Sequence, residues 1–251
     1  MAFGGNVPHF DTVYQRVCLQ LSHARLAVGG DSHARNTVWK IEGILGTQQY
    51  RGGLSTLRGN RGLEHFAVGG VTAARYIHSA QFNSLKNCSA EVVLLHLGGN
   101  DLDARLVSEL ERRTSRRKVM RDILTLIREL ENLGKVVYFL EIPTRFSRRE
   151  RRTVEEMQED VKYCNFRLKK LLKGRFIPLP CACFKVGAFH RSFYNRPSDN
   201  MIMEERVHFL GEVYQQIAHH VLQKIDSDMV AMKTPPSKIQ LRLFEDREDH
   251  Q

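Results

Sequence analysis

Val92-Val93-Leu94-Leu95-His96-Leu97-Gly98-Gly99-Asn100-Asp101 is the stretch that decides the fold. An apolar run of this length that stops at a turn signal is typical of a buried strand, and paired glycines allow the backbone to turn sharply where the strand emerges. The turn delivers Asn100 and Asp101 to the carboxyl edge of the sheet, where open α/β sheets bind ligands. The two residues either begin the next helix or belong to a site, and the stretch taken alone favours helix capping.

The composition is that of one soluble globular domain. The chain has 251 residues, of which 42% are hydrophobic and 26% are charged, and these values exclude a disordered or a membrane-spanning class. No apolar run approaches the length of a membrane span, and residues 1–6 lack the basic and apolar regions of a signal peptide. We therefore expect a soluble, intracellular protein, located in the cytoplasm or alternatively in the nucleus.

Cysteine usage indicates a reducing compartment and no metal centre. The five cysteines form no regular framework, as is common where thiols stay reduced. Their one cluster, Cys181-x-Cys183 with His190 beyond it, has a poor spacing for zinc. Buried or surface thiols are therefore a better interpretation of these cysteines than a metal site.

Apolar runs and amphipathic segments alternate along the chain. Strands are predicted over residues 25–28, 63–68, 92–97, 136–140 and 176–179. Helices are predicted over 10–22, 34–45, 72–85, 119–130, 154–172 and 213–222, with loops over 50–62 and 181–204. This alternation implies a mostly parallel sheet between helical layers. We divide the chain into an N-terminal accessory helix (1–23), one α/β domain (24–225) and a polar, partly disordered tail (226–251).

Three predicted strand ends bring a serine, a glycine and an asparagine to one edge of the sheet. Ser32 follows Gly30-Asp31 on a tight turn, from which a hydroxyl can be presented at the mouth of the sheet. A serine hydroxyl is a weak nucleophile until a base removes its proton, and His208 is the candidate base. The amides of Ser32 and Gly70 and the side chain of Asn100 would supply donors to a developing oxyanion. Losing one such donor costs a factor of about 100 to 1000 in rate.

These residues resemble a known family, the SGNH (GDSL-type) hydrolases, over residues 25–225. The resemblance rests on four blocks in family order: Gly30-Asp31-Ser32, Gly69-Gly70, Leu97-Gly98-Gly99-Asn100-Asp101 and Glu205-x-x-His208. It implies a three-layer α/β/α sandwich with a mostly parallel, five-stranded, flavodoxin-like sheet. It also implies hydrolysis of a small ester, thioester or acetyl substrate through an acyl-enzyme, without metal or cofactor. Ser32 would be the nucleophile, His208 the base, and Ser32, Gly70 and Asn100 the oxyanion hole.

The acid that orients the base departs from the family pattern. Glu205 stands where the family has aspartate; glutamate can also orient an imidazole, but the backbone must absorb one extra methylene. Glu204 and Asp199 compete for the role, and Glu205 is otherwise a solvated acid. The loop after His208, Phe209-Leu210-Gly211, also differs from the family pattern.

Each site residue has an alternative interpretation. Ser32 and Asn100 could be caps of the helices that follow them, and His208 a surface histidine near a helix start. His33 and His96 are interpreted as structural or lining residues. The blocks in family order favour the functional interpretation for Ser32, Asn100 and His208, whereas they leave both interpretations of Glu205 open.

The charge of the chain suggests a second class of function. The net charge is +10, and five arginines crowd one short segment while a second basic run spans 112–118. The arginines of the first segment are Arg145, Arg148, Arg149, Arg151 and Arg152. They are either solvated faces or a weak nucleic-acid contact. The alternative to an enzyme is thus a catalytically silent SGNH-fold binding module, associated with nucleic acid. The chain is also somewhat similar to the esterase domains of LINE-type retrotransposon proteins.

Overall fold

A computed structural model describes residues 24–46, 54–55, 65–102, 109–144, 146–147, 154–180, 205–206 and 208–232. Its strands are β1 (Ala24–Gly30), β2 (Leu54–Ser55), β3 (His65–Ala67), β4 (Val92–His96), β5 (Val136–Leu140), β6 (Phe146–Ser147), β7 (Phe176–Ile177) and β8 (Glu205–Arg206). Its α-helices are α1 (Ser32–Leu45), α2 (Ala73–Ile77), α3 (Ala80–Asn87), α4 (Gly99–Leu102), α5 (Glu109–Asn132), α6 (Val154–Leu172) and α7 (Gly211–Met232).

The centre of the molecule is the parallel pair β1 and β4. Val28 lies opposite Leu94 and Gly30 lies opposite His96, so both strands end at the same edge. All five residues of β4 are buried. A strand covered by helices on both faces has no polar side to present, which explains why this segment is apolar throughout rather than alternating.

All pairings in the main sheet are parallel, and the order is β2–β1–β4–β5–β7. A sixth strand, β3, also pairs with β1: β2 pairs with the start of β1, and β3 pairs with its end. Because β4 lies on the other side of β1, β2 and β3 lie one after the other along the same edge of β1, and the sheet is five strands wide. The predicted three-layer α/β architecture is confirmed, and β6 and β8 form a separate antiparallel pair.

Two apolar clusters cover the two faces of the sheet. On one face α1 and α7 bury residues such as Val38 and Ile217 against alternate positions of β1, β4 and β5. On the other face α2, α3, α5 and α6 bury the remaining positions, with Phe82 and Ile123 fully enclosed. At about 25 cal/mol per Å² of apolar surface removed from water, these two layers supply the main stabilisation of the fold.

The structure corrects several predicted boundaries. The single helix expected over 72–85 is two helices, because Ser79 caps α3 through Phe82 N–H and donates to the Tyr76 carbonyl. The last helix continues to Met232, past the predicted start of the tail, because Ile225 and Met229 belong to its buried stripe. After α6 the positive φ of 50° falls on Lys173 and not on the neighbouring Gly174.

Some predictions lie outside the described residues. They include the accessory helix over 10–22, the irregular segment 181–204 and the end of the tail. The three-part division of the chain therefore stays a prediction. No described helix is both long enough and apolar enough to pass through a lipid bilayer.

Candidate active site

The end of β1 forms the turn that presents Ser32. Gly30 has a φ of +136°, and a Cβ built on it would lie 2.0 Å from the His96 carbonyl oxygen, so only glycine fits. Asp31 donates its N–H to that carbonyl at 3.0 Å, and its side chain accepts the N–H of His33 at 2.9 Å. Asp31 is therefore the N-cap of α1, and the alternative interpretation of Ser32 as the cap is wrong. Ser32 is instead the first helical residue, where free N–H groups and the helix dipole favour negative charge.

The Gly69-Gly70 turn lies beside this serine turn. Val68 donates its N–H to the Gly30 carbonyl at 2.8 Å, which joins the end of β3 to the end of β1. Gly70 has a φ of +70°, a backbone conformation that side chains disfavour. The turn thus brings the second predicted oxyanion donor to the same edge as Ser32.

Asn100 lies at the third strand end, in α4. Its side-chain Nδ2 donates to the Val71 carbonyl at 2.9 Å and lies 3.4 Å from Asp31 Oδ2. The amide that the sequence assigns to an oxyanion therefore also ties the Gly70 turn to the Ser32 turn. Of the two contacts, the 3.4 Å one is long for a hydrogen bond and is the weaker.

Asp101 caps a helix, but a different one from the helix that contains it. Its two carboxylate oxygens accept the N–H of Ala73, the first residue of α2, at 2.9 and 3.0 Å. Burial raises the pKa of Asp101 to about 6, and the nearby charge of Asp31 adds to the shift, while the Ala73 hydrogen bond opposes it. The carboxylate thus holds the start of α2, which follows the Gly70 turn, although burying its negative charge is unfavourable.

Asp101→Asn is expected to flatten the pH dependence of stability. Between pH 4 and 6 the folded protein holds a proton on Asp101 that the unfolded chain releases, so the free energy of unfolding falls as the pH rises through this window. This titration changes the free energy of unfolding by at most about 3 kcal/mol. Asparagine keeps an acceptor for Ala73 and removes the charge, so urea unfolding at several pH values should show no such fall. If the free energy of unfolding depends on pH in the same way in wild type and in Asp101→Asn, the raised pKa does not belong to Asp101.

His208 reaches Ser32 although 176 residues separate them. Its Nε2 lies 2.8 Å from Ser32 Oγ, a normal hydrogen-bond distance. Phe209, the next residue, is 1% exposed and belongs to the apolar layer under α1 and α7. The burial of this neighbour holds the half-buried histidine at the sheet edge, three residues before the start of α7, and its role as a base stays a prediction.

Glu205 is described only through its backbone. It belongs to β8, where it lies opposite Ser147. The side chain of Glu205 and the competing acids Glu204 and Asp199 lie outside the described structure. The residue that orients His208 therefore stays a prediction.

A cluster of rings surrounds the serine–histidine pair. His33 is 1% exposed, and its ring centroid lies 5.4 Å from that of His208, 5.5 Å from that of His96 and 5.2 Å from that of Phe209. Its Nδ1 lies 2.9 Å from the hydroxyl of Tyr214, a buried residue of α7. Sequence reasoning placed His33 among the structural or lining residues and did not single out Tyr214. In the sequence, Tyr214 differs from its apolar neighbours on the buried face of the helix only by its hydroxyl. A buried hydroxyl needs a hydrogen-bond partner, and this is the feature that could have identified the residue.

The basic runs divide between described and undescribed residues. The segment that contains Arg145, Arg148, Arg149, Arg151 and Arg152 lies outside the described structure. In the second run, Arg112 pairs with Glu159 at 2.9 Å, and Arg116 pairs with the buried Asp160 at 3.3 Å. These two arginines join α5 to α6, whereas Arg113, Arg117 and Lys118 are exposed. Within the described ranges, no group of three or more His, Cys, Asp or Glu side chains has a geometry that would hold a metal ion.

Comparison with known proteins identifies the fold. No family model and no curated sequence matches the chain. Among solved structures, a GDSL-like lipase from Bacteroides thetaiotaomicron superposes with a TM-score of 0.58 at 13% identity, over 88% of this chain and 98% of that one. The acetyl xylan esterase AlAXEase gives a TM-score of 0.53 at 14% identity, over 80% and 99%. The OSK domain of Drosophila Oskar gives 0.53 at 12% identity, over 79% and 87%. The resemblance to the SGNH hydrolases is thus confirmed at the level of the fold.

Proposed function

We propose that this chain is a serine hydrolase of the SGNH type, which cleaves an ester, thioester or acetyl group through an acyl-enzyme on Ser32. The proposal rests on the 2.8 Å contact between Ser32 Oγ and His208 Nε2. Two side chains from distant parts of the sequence meet at the carboxyl edge of a parallel sheet, where ligands bind in open α/β folds. A nucleophile within hydrogen-bond reach of a base is the arrangement that acyl transfer needs.

The reaction would proceed in two balanced steps. As Ser32 Oγ attacks the substrate carbonyl carbon, its proton passes to His208 Nε2, and the carbonyl oxygen becomes an oxyanion. The imidazolium then gives the proton to the departing alcohol, thiol or amine, which leaves the acyl group on the serine. In the second step, water attacks the acyl group while His208 takes a proton from it, and the bond between the acyl group and Ser32 Oγ breaks. The serine recovers its proton from His208, and the carboxylic acid is released.

Three donors would stabilise the oxyanion. They are the N–H groups of Ser32 and Gly70 and the side-chain amide of Asn100, which lie at three strand ends of one edge. Ser32 is the first residue of α1, where N–H groups have no partner inside the helix, and the Asp31 carboxylate accepts the N–H of His33, the next residue. Glu205 would orient His208 and stabilise its protonated form, which is the task that the family gives to aspartate.

Labelling by a fluorophosphonate tests the proposal. The wild-type protein should react covalently at Ser32 and hydrolyse short p-nitrophenyl esters, whereas Ser32→Ala should do neither because the attacking oxygen is gone. Ser84→Ala changes an exposed serine of α3 and is the matched control, expected to label at the wild-type rate. A folded Ser32→Ala protein that labels as well as the parent would overturn the proposal.

A non-catalytic binding module is the competing function. The exposed residues Arg113, Arg117 and Lys118 of α5 and the overall charge of +10 favour a polyanion such as nucleic acid. A folded wild-type protein that neither labels nor hydrolyses esters, and that binds nucleic acid with an affinity falling steeply with salt, would support this alternative.

A further inference from the structure

The neighbours of the serine–histidine pair are held together by one buried hydroxyl. Tyr214 lies on α7 with 3% of its surface exposed, and its OH lies 2.9 Å from Nδ1 of His33, the residue after the nucleophile. The same oxygen accepts the N–H of Phe209, the residue after the base, at 3.4 Å. One side chain thus contacts both the segment that contains Ser32 and the segment that contains His208.

The Tyr214 hydroxyl is placed to bond to both segments. Its oxygen accepts the Phe209 N–H, and it shares a second hydrogen bond with His33 Nδ1, in which the tautomer of His33 decides which group donates. The ring centroid of His33 lies 5.4 Å from that of His208, so a shift of His33 is passed directly to the base.

Packing reinforces this arrangement. The ring of His33 contacts the rings of both His208 and Phe209, and it is itself buried, so it cannot move without disturbing them. His208 lies far from Ser32 in the sequence, and the burial of the next residue, Phe209, anchors its segment beside His33. The distance between Ser32 and His208 therefore depends on the contact between α1 and α7 at His33 and Tyr214.

We propose that His33 and Tyr214 are positioning residues, whose hydrogen bond sets the distance and orientation of His208 relative to Ser32. The inference rests on the proposed function for its kinetic consequence, but its geometric content is independent of catalysis. A displacement of about 1 Å in a catalytic group costs roughly a hundredfold in rate. The loss of one hydroxyl at Tyr214 should therefore be felt in the chemical step and not in the binding of a substrate.

Tyr214→Phe removes the hydroxyl and keeps the ring. Fluorophosphonate labelling should show a maximal rate about 10- to 100-fold lower, with an unchanged reagent concentration at half-maximal rate. Tyr138→Phe is the matched control, because Tyr138 is a buried tyrosine whose OH also bonds to α7, at Asp228 Oδ2. That bond lies 14 residues, or about 20 Å of helix, from Tyr214. The control should label within about twofold of wild type.

Substitutions of His33 test the other partner. His33→Leu should lower the maximal rate as far as Tyr214→Phe does, whereas His33→Asn keeps a hydrogen-bonding group beside the tyrosine hydroxyl and should recover part of the loss. If the two Tyr→Phe variants lower the rate equally, or if His33→Leu labels like wild type, the positioning role is overturned.

A crystallographic measurement separates this inference from the proposed function. In crystals of Tyr214→Phe the Ser32 Oγ to His208 Nε2 distance should exceed 3.5 Å, while it should stay near 2.8 Å in Tyr138→Phe. A short distance retained in Tyr214→Phe overturns the positioning role. A wild-type protein that fails to label overturns the proposed function instead, and the crystallographic distances still decide whether Tyr214 positions His208.

Discussion

Replacing His208 with alanine is expected to lower the rate of fluorophosphonate labelling at Ser32 by about a thousandfold or more. The hydroxyl of Ser32 is a poor nucleophile at neutral pH, and His208 Nε2, at 2.8 Å, is the group placed to remove its proton. In enzymes where serine and histidine act as a unit, loss of the histidine costs nearly as much as loss of the serine. The measurement is the second-order labelling rate, followed by intact-protein mass spectrometry.

His219→Ala is the matched control for this substitution. His219 is an exposed histidine of α7, so its removal should leave the labelling rate within about twofold of wild type. Added imidazole should restore part of the activity of His208→Ala, because it supplies a diffusible base to an otherwise intact site. A folded His208→Ala protein that labels at the wild-type rate would show that the serine is not activated by this histidine.

Gly30→Ala should be the most destabilising small substitution in the site. The new Cβ would lie 2.0 Å from the His96 carbonyl oxygen, and the φ of +136° is itself unfavourable for alanine. The strand ends of β1 and β4 would have to separate, which breaks the Asp31 N–H bond to His96 as well. We expect a loss of about 4 kcal/mol or more in the free energy of unfolding, measured by urea denaturation.

Gly43→Ala makes the same chemical change where space is free. Gly43 lies in α1, and among the described residues a Cβ added there meets no atom within 4 Å beyond the backbone of its own helix. Alanine in a helix is favoured over glycine by about 0.5 to 1 kcal/mol, so this variant should be at least as stable as wild type. Equal stability of the two variants would show that the turn at Gly30 does not require glycine.

The sequence predicted the fold well because the fold depends on short-range patterns. The apolar runs at 92–97 and 136–140 are strands because both sheet faces are covered, and a buried strand is apolar along its whole length. The α/β alternation then requires parallel pairing. The pairing of Ser32 with His208 was predicted from the need of a serine for a base and from the order of the four blocks, because no local spacing relates two residues that are 176 positions apart.

What the sequence could not predict depends on three-dimensional neighbours. Asn100 and Asp101 were correctly placed at a strand end, but Asn100 bonds to Val71 and Asp101 caps α2, a helix that precedes it in the chain. The bond between His33 and Tyr214 joins residues 181 positions apart. Hydrophobic periodicity assigns such a tyrosine to the core and contains no information on where its hydroxyl points.

The long separation between Ser32 and His208 bears on how the protein is made. A ribosome synthesises β1 and the serine turn early, and it reaches His208 and α7 only after the rest of the described sheet. A nascent chain that ends before His208 lacks the proposed base, and it also lacks α7, one helix of the layer that covers β1, β4 and β5. If Ser32 is the nucleophile that we propose, its chemistry cannot begin until His208 has been synthesised and α7 has docked on the sheet.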